Sequence, residues 1–179
     1  MSERGLIDNV AGLAPLKRSA GAGPGLAAAA TLLVWLLVSV SVHPLPHESP
    51  DRGAPLLMGA DSPESVRNVL ALACGNCHSQ NTRWPWYSQV APFSWLIEND
   101  VKRAREHLNL SRWNTLDTVE QRSLLTAIAT VVENREMPLH KYLMFHGEAR
   151  LSPEDSLQVI EWTRAERTRL RTSAASLAQ

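Results

Sequence analysis

The chain has 179 residues, and its 18 basic and 18 acidic side chains give no formal net charge. This balance argues against nucleic acid as the main partner. The two cysteines lie in a single motif, which excludes the disulfide framework of small secreted proteins. The length allows one domain of ordinary size with additional segments.

The N-terminal segments resemble a membrane-targeting region. Residues 1–25 are rich in Gly, Ala and Pro and carry a few basic side chains, so we predict a disordered cytoplasmic N-terminus. Residues 26–42 are almost wholly apolar and uncharged, and as a helix they would extend about 25 Å. We predict a transmembrane signal anchor that places the following residues outside the cytoplasm. A cleaved signal peptide and a buried core helix are the alternatives, although no clear cleavage site follows.

A proline-rich stretch then precedes the folded part of the chain. Residues 43–62 contain several prolines and are predicted to form a semi-rigid linker. Ser62 and Pro63 are typical of a helix start, so we place a soluble domain at 63–171. Its first helix leads directly to the first cysteine. Residues 172–179 are predicted to be a frayed tail.

The most informative motif is Cys74-Gly75-Asn76-Cys77-His78. Two thiols at this spacing, followed by histidine, are the attachment pattern of c-type haem. The thiols would form thioethers with the porphyrin, and His78 would be the proximal iron ligand. A dithiol redox motif, a simple disulfide and a zinc site completed by other histidines are the alternatives.

An aromatic cluster follows this motif. Trp84, Trp86 and Tyr87 surround Pro85, and Trp95 follows shortly after. These side chains could pack in the core or form a wall against the porphyrin, so we count all four as candidate haem contacts. Arg83 is a candidate partner for a haem propionate.

Three further helices are predicted from the spacing of apolar residues. The first runs from Pro92–Phe93 to about Leu108, with a charged face that we expect to be solvated. The second follows a cap at Asp117 or Thr118 and ends near Asn134. The third begins at the Ser152-Pro153 cap. The chain is therefore predicted to be all-α.

Met137 is the preferred candidate for the sixth iron ligand. It follows a helix and precedes Pro138, so its sulfur could reach the far side of a haem, and Met/His ligation is common in cytochromes. His140 and His146 are rival ligands, an open or water-ligated site is another possibility, and Met144 is the next methionine.

Taken together, these motifs resemble those of the small haem-binding domain family of bacterial c-type cytochromes. The resemblance covers roughly residues 62–165. The sequence runs that carry it are CGNCHS (74–79), T-x-WPWY (82–87), AP-x-SWL (91–96), LN-x-S-x-W (108–113), MPL-x-x-Y (137–142), His146, and Leu151-Ser152. It implies an all-α, cytochrome c-like haem domain, often behind a membrane anchor or signal. It also implies His78 as proximal ligand and Met137 as distal ligand.

These features predict a cytochrome with covalent haem c that transfers single electrons in the periplasm. A single-pass helix would hold it to the inner membrane, near a redox partner in or beside that membrane. The alternative is a haem enzyme or gas sensor with an open sixth position, for which His140, His146 and Arg135 are candidate groups. A thiol–disulfide protein without haem is the third hypothesis.

Overall fold

The computed structural model describes residues 23–42 and 53–177. All regular structure in these two ranges is helical, which confirms the all-α prediction. The helices are α1 (Pro24–Val42), α2 (Glu64–Ala73), α3 (Gly75–His78), α4 (Phe93–His107), α5 (Thr118–Glu133), α6 (His140–Leu143) and α7 (Pro153–Leu177). Short 3-10 turns lie at Trp86–Gln89, Leu110–Thr115 and Gly147–Ala149.

Helix α1 coincides with the apolar segment in which we predicted a membrane anchor. Within the described residues, however, no helix has both the length and the apolar character that a membrane crossing requires. The leucines of α1, including Leu32, Leu33 and Leu37, are exposed. The predictions for residues 1–22 and 43–52 lie outside the described residues.

One hydrophobic core holds α2, α5 and α7 together. Trp113 lies fully buried within it, beside side chains from all three helices: Val66, Leu70, Leu125, Ile128, Val132, Val159, Trp162 and Leu170. Leu57 belongs to this core and is only 2% exposed, and its amide donates to the carbonyl of Leu110 at 2.9 Å. The part of the predicted linker that the structure describes therefore forms turns that pack against the domain.

The predicted helix starts are confirmed where side chains can accept from the first turn. Asp117 accepts from the amides of Val119 and Glu120, and the Glu120 side chain accepts from the Asp117 amide, which completes a capping box. Ser152 and Asp155 form the same reciprocal pair at α7, with hydrogen bonds of 3.0 and 3.1 Å. Helix α7 continues to Leu177, so residues 172–177 of the predicted tail are helical.

Candidate haem site

A cavity of about 430 Å³ lies between α2, α4 and α5, and its volume is in the range of small-molecule sites. Apolar side chains form most of its wall. They come from the end of α2, the second half of α4 and α5, and the segment before α6: Leu70, Ala73, Ala104, Leu108, Leu124, Ala127, Ile128, Val131, Val132, Pro138 and Leu139. Four predicted residues line the same cavity: the two that would form the thioethers, Cys74 and Cys77, and the two that would ligate the iron, His78 and Met137.

The cysteine motif is a single helical turn placed directly after α2. The Cys74 carbonyl accepts from the amides of Cys77 at 3.2 Å and His78 at 2.9 Å. Residues three and four apart lie on one side of such a turn. Both thiols and the imidazole therefore reach one cavity, and neither cysteine is in a disulfide.

The His78 ring is oriented by the backbone of the neighbouring segment. Its Nδ1–H donates to the carbonyl oxygen of Leu108 at 3.0 Å. This bond selects the tautomer in which Nε2 carries a free lone pair, which is the arrangement of a metal-ligating histidine. Burial lowers the pKa of His78, while the carbonyls of Leu108 and Ala104 act in the opposite direction. The neutral, ligating form is thus favoured.

The two thiols lack the properties of a reactive dithiol. Burial, and secondarily the neighbouring Cys77, raises the pKa of Cys74 to about 12. Burial and Asp100 raise the pKa of Cys77, against a smaller lowering by Arg105 and Lys141. Reactive cysteines have a lowered pKa instead, so the thiol–disulfide interpretation is disfavoured.

The zinc interpretation also finds no support. In residues 23–42 and 53–177, no group of three or more His, Cys, Asp and Glu side chains could hold a metal ion. A structural zinc ion requires four ligands.

Among the candidates for the sixth ligand, Met137 is the one that lines the haem cavity. Its amide donates to the carbonyl of Val131 at 3.3 Å, which holds it against the end of α5. His140 is exposed, and Met144 is 73% exposed. His146 lines a second cavity, where a hydrogen bond of 2.8 Å joins its Nε2 to the Tyr87 hydroxyl.

The predicted aromatic wall lies elsewhere. Tyr87 and Arg83 line the second cavity, which has a volume of about 280 Å³ and shares Cys77 and Tyr142 with the first. Trp84 is half-buried, whereas Trp86 and Trp95 are 79% and 57% exposed. None of these five predicted contacts lines the haem cavity as the structure describes it. The reason is that Tyr87 packs against Phe93 at the start of α4, whereas the second half of α4 faces the haem cavity.

Arg105 of α4 holds the loop that follows His78 in place through two hydrogen bonds. Arg105 Nε donates to the Ser79 carbonyl, and its Nη2 donates to Thr82 Oγ1, each at 2.8 Å. Thr82 Oγ1 in turn donates to the Asn76 carbonyl at 2.7 Å. The loop therefore leaves on the Asn76 side of the motif.

The sequence interpretation missed three polar residues of the haem cavity. Asp100 and Arg103 belong to the charged helix face that we expected to be solvated, and His107 ends the same helix, but all three line the cavity. They lie on α4 at helical spacing with Ala104, which also lines it. This shared face was the available signal. Arg103 is a cation at the cavity that could pair with a carboxylate of a bound group.

The donor set fits a haem. An apolar cavity suits the porphyrin, the two thiols suit its vinyl groups, and an imidazole with a fixed tautomer and a thioether are both iron ligands. A family model described as haem-binding domain matches residues 34–165, which is well over half of the chain. The chain belongs to the haem-binding domain family.

Membership of this family identifies the protein as a haem-binding protein. The region matched by the family model begins inside α1, before the domain start at residue 63 that the sequence predicted. Comparisons with curated proteins and with solved structures gave no match.

Proposed function

We propose that this haem-binding domain carries a covalently attached haem c and transfers single electrons outside the cytoplasm. Cys74 and Cys77 would form the thioethers, His78 would be the proximal ligand and Met137 the distal ligand. The observation that carries the proposal is that these four side chains line one cavity. When bound, the haem would supply a one-electron iron centre.

The chain's own residues would prepare this centre in three ways. The Leu108 carbonyl holds the His78 ring in the ligating tautomer. The apolar wall formed mainly by α2 and α5 limits the access of water and lowers the local polarity. Arg103 provides the positive charge that a propionate would need.

The positions of the polar groups favour an electron carrier over an enzyme. His140, His146 and Arg135, the groups considered for distal catalysis, are absent from the cavity lining that the structure describes. His107 does line the cavity, but it lies close enough to His78 to contribute to the lowering of that pKa. It also directly precedes Leu108, whose carbonyl holds the His78 ring, so we place it beside the proposed proximal ligand.

The proposal includes a location in the periplasm and a redox partner in or near the membrane. Its support is chemical, because covalent attachment of haem to such a motif takes place outside the bacterial cytoplasm. The exposed leucines of α1 are the surface that could keep the domain near a membrane-bound partner. No membrane crossing is part of the proposal.

The first experiment expresses the full chain with haem-attachment machinery and records spectra of the oxidised, reduced and pyridine-denatured protein. We expect a pyridine adduct with a c-type spectrum and a haem that stays on the protein during acid–acetone extraction. Both properties should be lost in a Cys74→Ser/Cys77→Ser variant. Extractable haem in the wild type would refute covalent attachment. Fractionation of the same cells tests the location. Recovery of the full-length haem protein from the cytoplasm would refute a periplasmic location, and a variant without α1 shows whether this helix is needed for it.

The second experiment tests the distal ligand. We expect the reduced wild type to bind carbon monoxide poorly and Met137→Ala to bind it readily. Met144→Ala, which removes an exposed methionine outside the cavity, is the matched control. Rapid binding by the wild type would favour the enzyme or sensor alternative. His78→Ala should abolish the low-spin spectrum, and an unchanged spectrum would refute the proximal assignment.

A further inference from the structure

A basic groove lies between α5 and α7, apart from the haem cavity. It encloses about 380 Å³, and α5 contributes Arg122 while α7 contributes Arg164, Arg167 and Arg171. The remaining lining residues are Val119, Ser123, Thr126 and Thr168, so no carboxylate belongs to the part of the wall that the structure describes. This concentration of one charge occurs in a chain whose formal net charge is zero.

The spacing on α7 makes the arginines converge. Positions 164, 167 and 171 are separated by three and four residues, so their side chains leave the same face of the helix. Arg167 is half-buried and held in place, because its Nη1 donates to Thr126 Oγ1 at 2.9 Å and its Nε donates to the Thr163 carbonyl at 3.3 Å. One guanidinium is therefore fixed across the groove from α7 to α5.

Three carboxylates near the groove in sequence are engaged elsewhere, and Glu161 does not line it. Asp117 and Glu120 form the capping box of α5. Glu166 is buried and accepts two hydrogen bonds of 2.6 Å from Arg169. Converging like charges repel each other, so an anion in the groove would relieve this repulsion.

The chemistry of the groove fits phosphate better than it fits an acidic peptide. Guanidinium groups bind phosphate through paired hydrogen bonds, and hydroxyls such as Ser123 Oγ can donate to the remaining oxygens. Val119 is the one aliphatic side chain in the described lining, which offers little surface for peptide side chains. We propose that this groove is a binding site for a phosphate-bearing anion, either free or as a lipid headgroup.

The test uses the full-length, haem-loaded protein and inorganic pyrophosphate in isothermal titration calorimetry. We expect an Arg164→Gln/Arg171→Gln variant to bind pyrophosphate at least about tenfold more weakly, because each substitution removes a charge-assisted hydrogen-bonding group. Arg150→Gln, an exposed arginine outside the groove, is the matched control and should change the affinity by less than about twofold. The haem spectrum should be the same in all three proteins.

A second arm identifies the source of the phosphate. Retention on phosphatidylglycerol vesicles, but not phosphatidylcholine vesicles, together with release by pyrophosphate, would assign the groove to lipid headgroups. Pyrophosphate binding without vesicle retention would assign it to a soluble ligand. The proposal is overturned if the wild type does not bind pyrophosphate, if Arg150→Gln weakens binding as much as the double variant, or if a polyglutamate peptide binds equally tightly.

Discussion

The buried thiol of Cys74 allows a quantitative test of the haem cavity before any haem is attached. In the haem-free chain, burial raises the pKa of this thiol from about 9 to about 12. A Cys77→Ser variant isolates Cys74 as the single thiol and removes the secondary contribution of Cys77, so three pKa units are the upper limit of the shift in this variant. A disulfide reagent then measures its rate of reaction. The denatured variant provides the reference for an exposed thiol.

The magnitude follows from two opposing effects. At about pH 8, a shift of three pKa units lowers the fraction of thiolate nearly a thousandfold, since only the thiolate reacts. Nucleophilicity rises with pKa, with a Brønsted coefficient of about 0.4–0.5, which recovers a factor of about 15 to 30. At this upper limit of the shift, the folded variant should react about 30- to 60-fold more slowly than the denatured one, and restricted access would slow it further.

Stopped-flow absorbance with an aromatic disulfide gives both rates, and circular dichroism confirms that the haem-free variant is folded. The reciprocal variant, Cys74→Ser, isolates Cys77, which borders both cavities. If folded Cys74 reacts within about threefold of the denatured rate, the thiol is not buried as described, and the geometry of the cavity is wrong. A rate above the denatured reference would revive the dithiol interpretation.

Three predictions concern stability, each measured by urea denaturation of the haem-free chain. A thiol with a raised pKa stabilises the folded state below the unfolded pKa, and this contribution is lost as pH rises toward 12, so unfolding should require about 1.4 kcal/mol less at pH 10 than at pH 8. Cys74→Ser should remove this share of the pH dependence and leave the share due to Cys77, whose pKa is also raised. Trp113→Ala should cost about 3–5 kcal/mol because the side chain is fully buried, whereas Trp86→Ala at a 79% exposed position should cost under about 1 kcal/mol. Glu166→Ala should cost about 2–3 kcal/mol because it leaves Arg169 and the Asp61 amide without their carboxylate.

Each of these has a result that would contradict it. A stability that is unchanged from pH 8 to pH 10 would show that Cys74 titrates like a free thiol. Equal losses for Trp113→Ala and Trp86→Ala would contradict the packing of the core. A neutral Glu166→Ala variant would show that the carboxylate is hydrated rather than enclosed, and Glu161→Ala, at an exposed position on the same helix, is its control.

The local features of this chain were predictable because short-range chemistry determines them. The cap at Asp117, the helix start at Pro153 and the single turn that carries His78 follow from neighbouring residues. That Met137 lines the same cavity as the cysteine motif was also predictable, because few residue types can ligate haem iron.

Features that depend on tertiary contacts could not be predicted in the same way. Trp86 and Trp95 were candidate haem contacts because they follow the haem motif in sequence, yet the hydrogen bonds of Arg105 hold the intervening loop on the Asn76 side of the motif. Arg103 was assigned to solvent because a charged helix face is usually solvated, and the location of the cavity was needed to correct this. Leu57 lay in a proline-rich segment whose composition gives no sign of burial.

The residue just before the second cysteine has a consequence for transferring this motif to other proteins. Asn76 Nδ2 donates to the Tyr142 hydroxyl at 2.8 Å, and its Oδ1 accepts from the Arg83 amide at 3.1 Å. The two spacer positions are therefore not equivalent, since a methyl group at Gly75 would meet its nearest neighbour at an ordinary 3.7 Å. A graft of CGNCH into a new helical scaffold would need a counterpart of Tyr142 to keep the turn rigid, whereas the glycine could be exchanged for alanine.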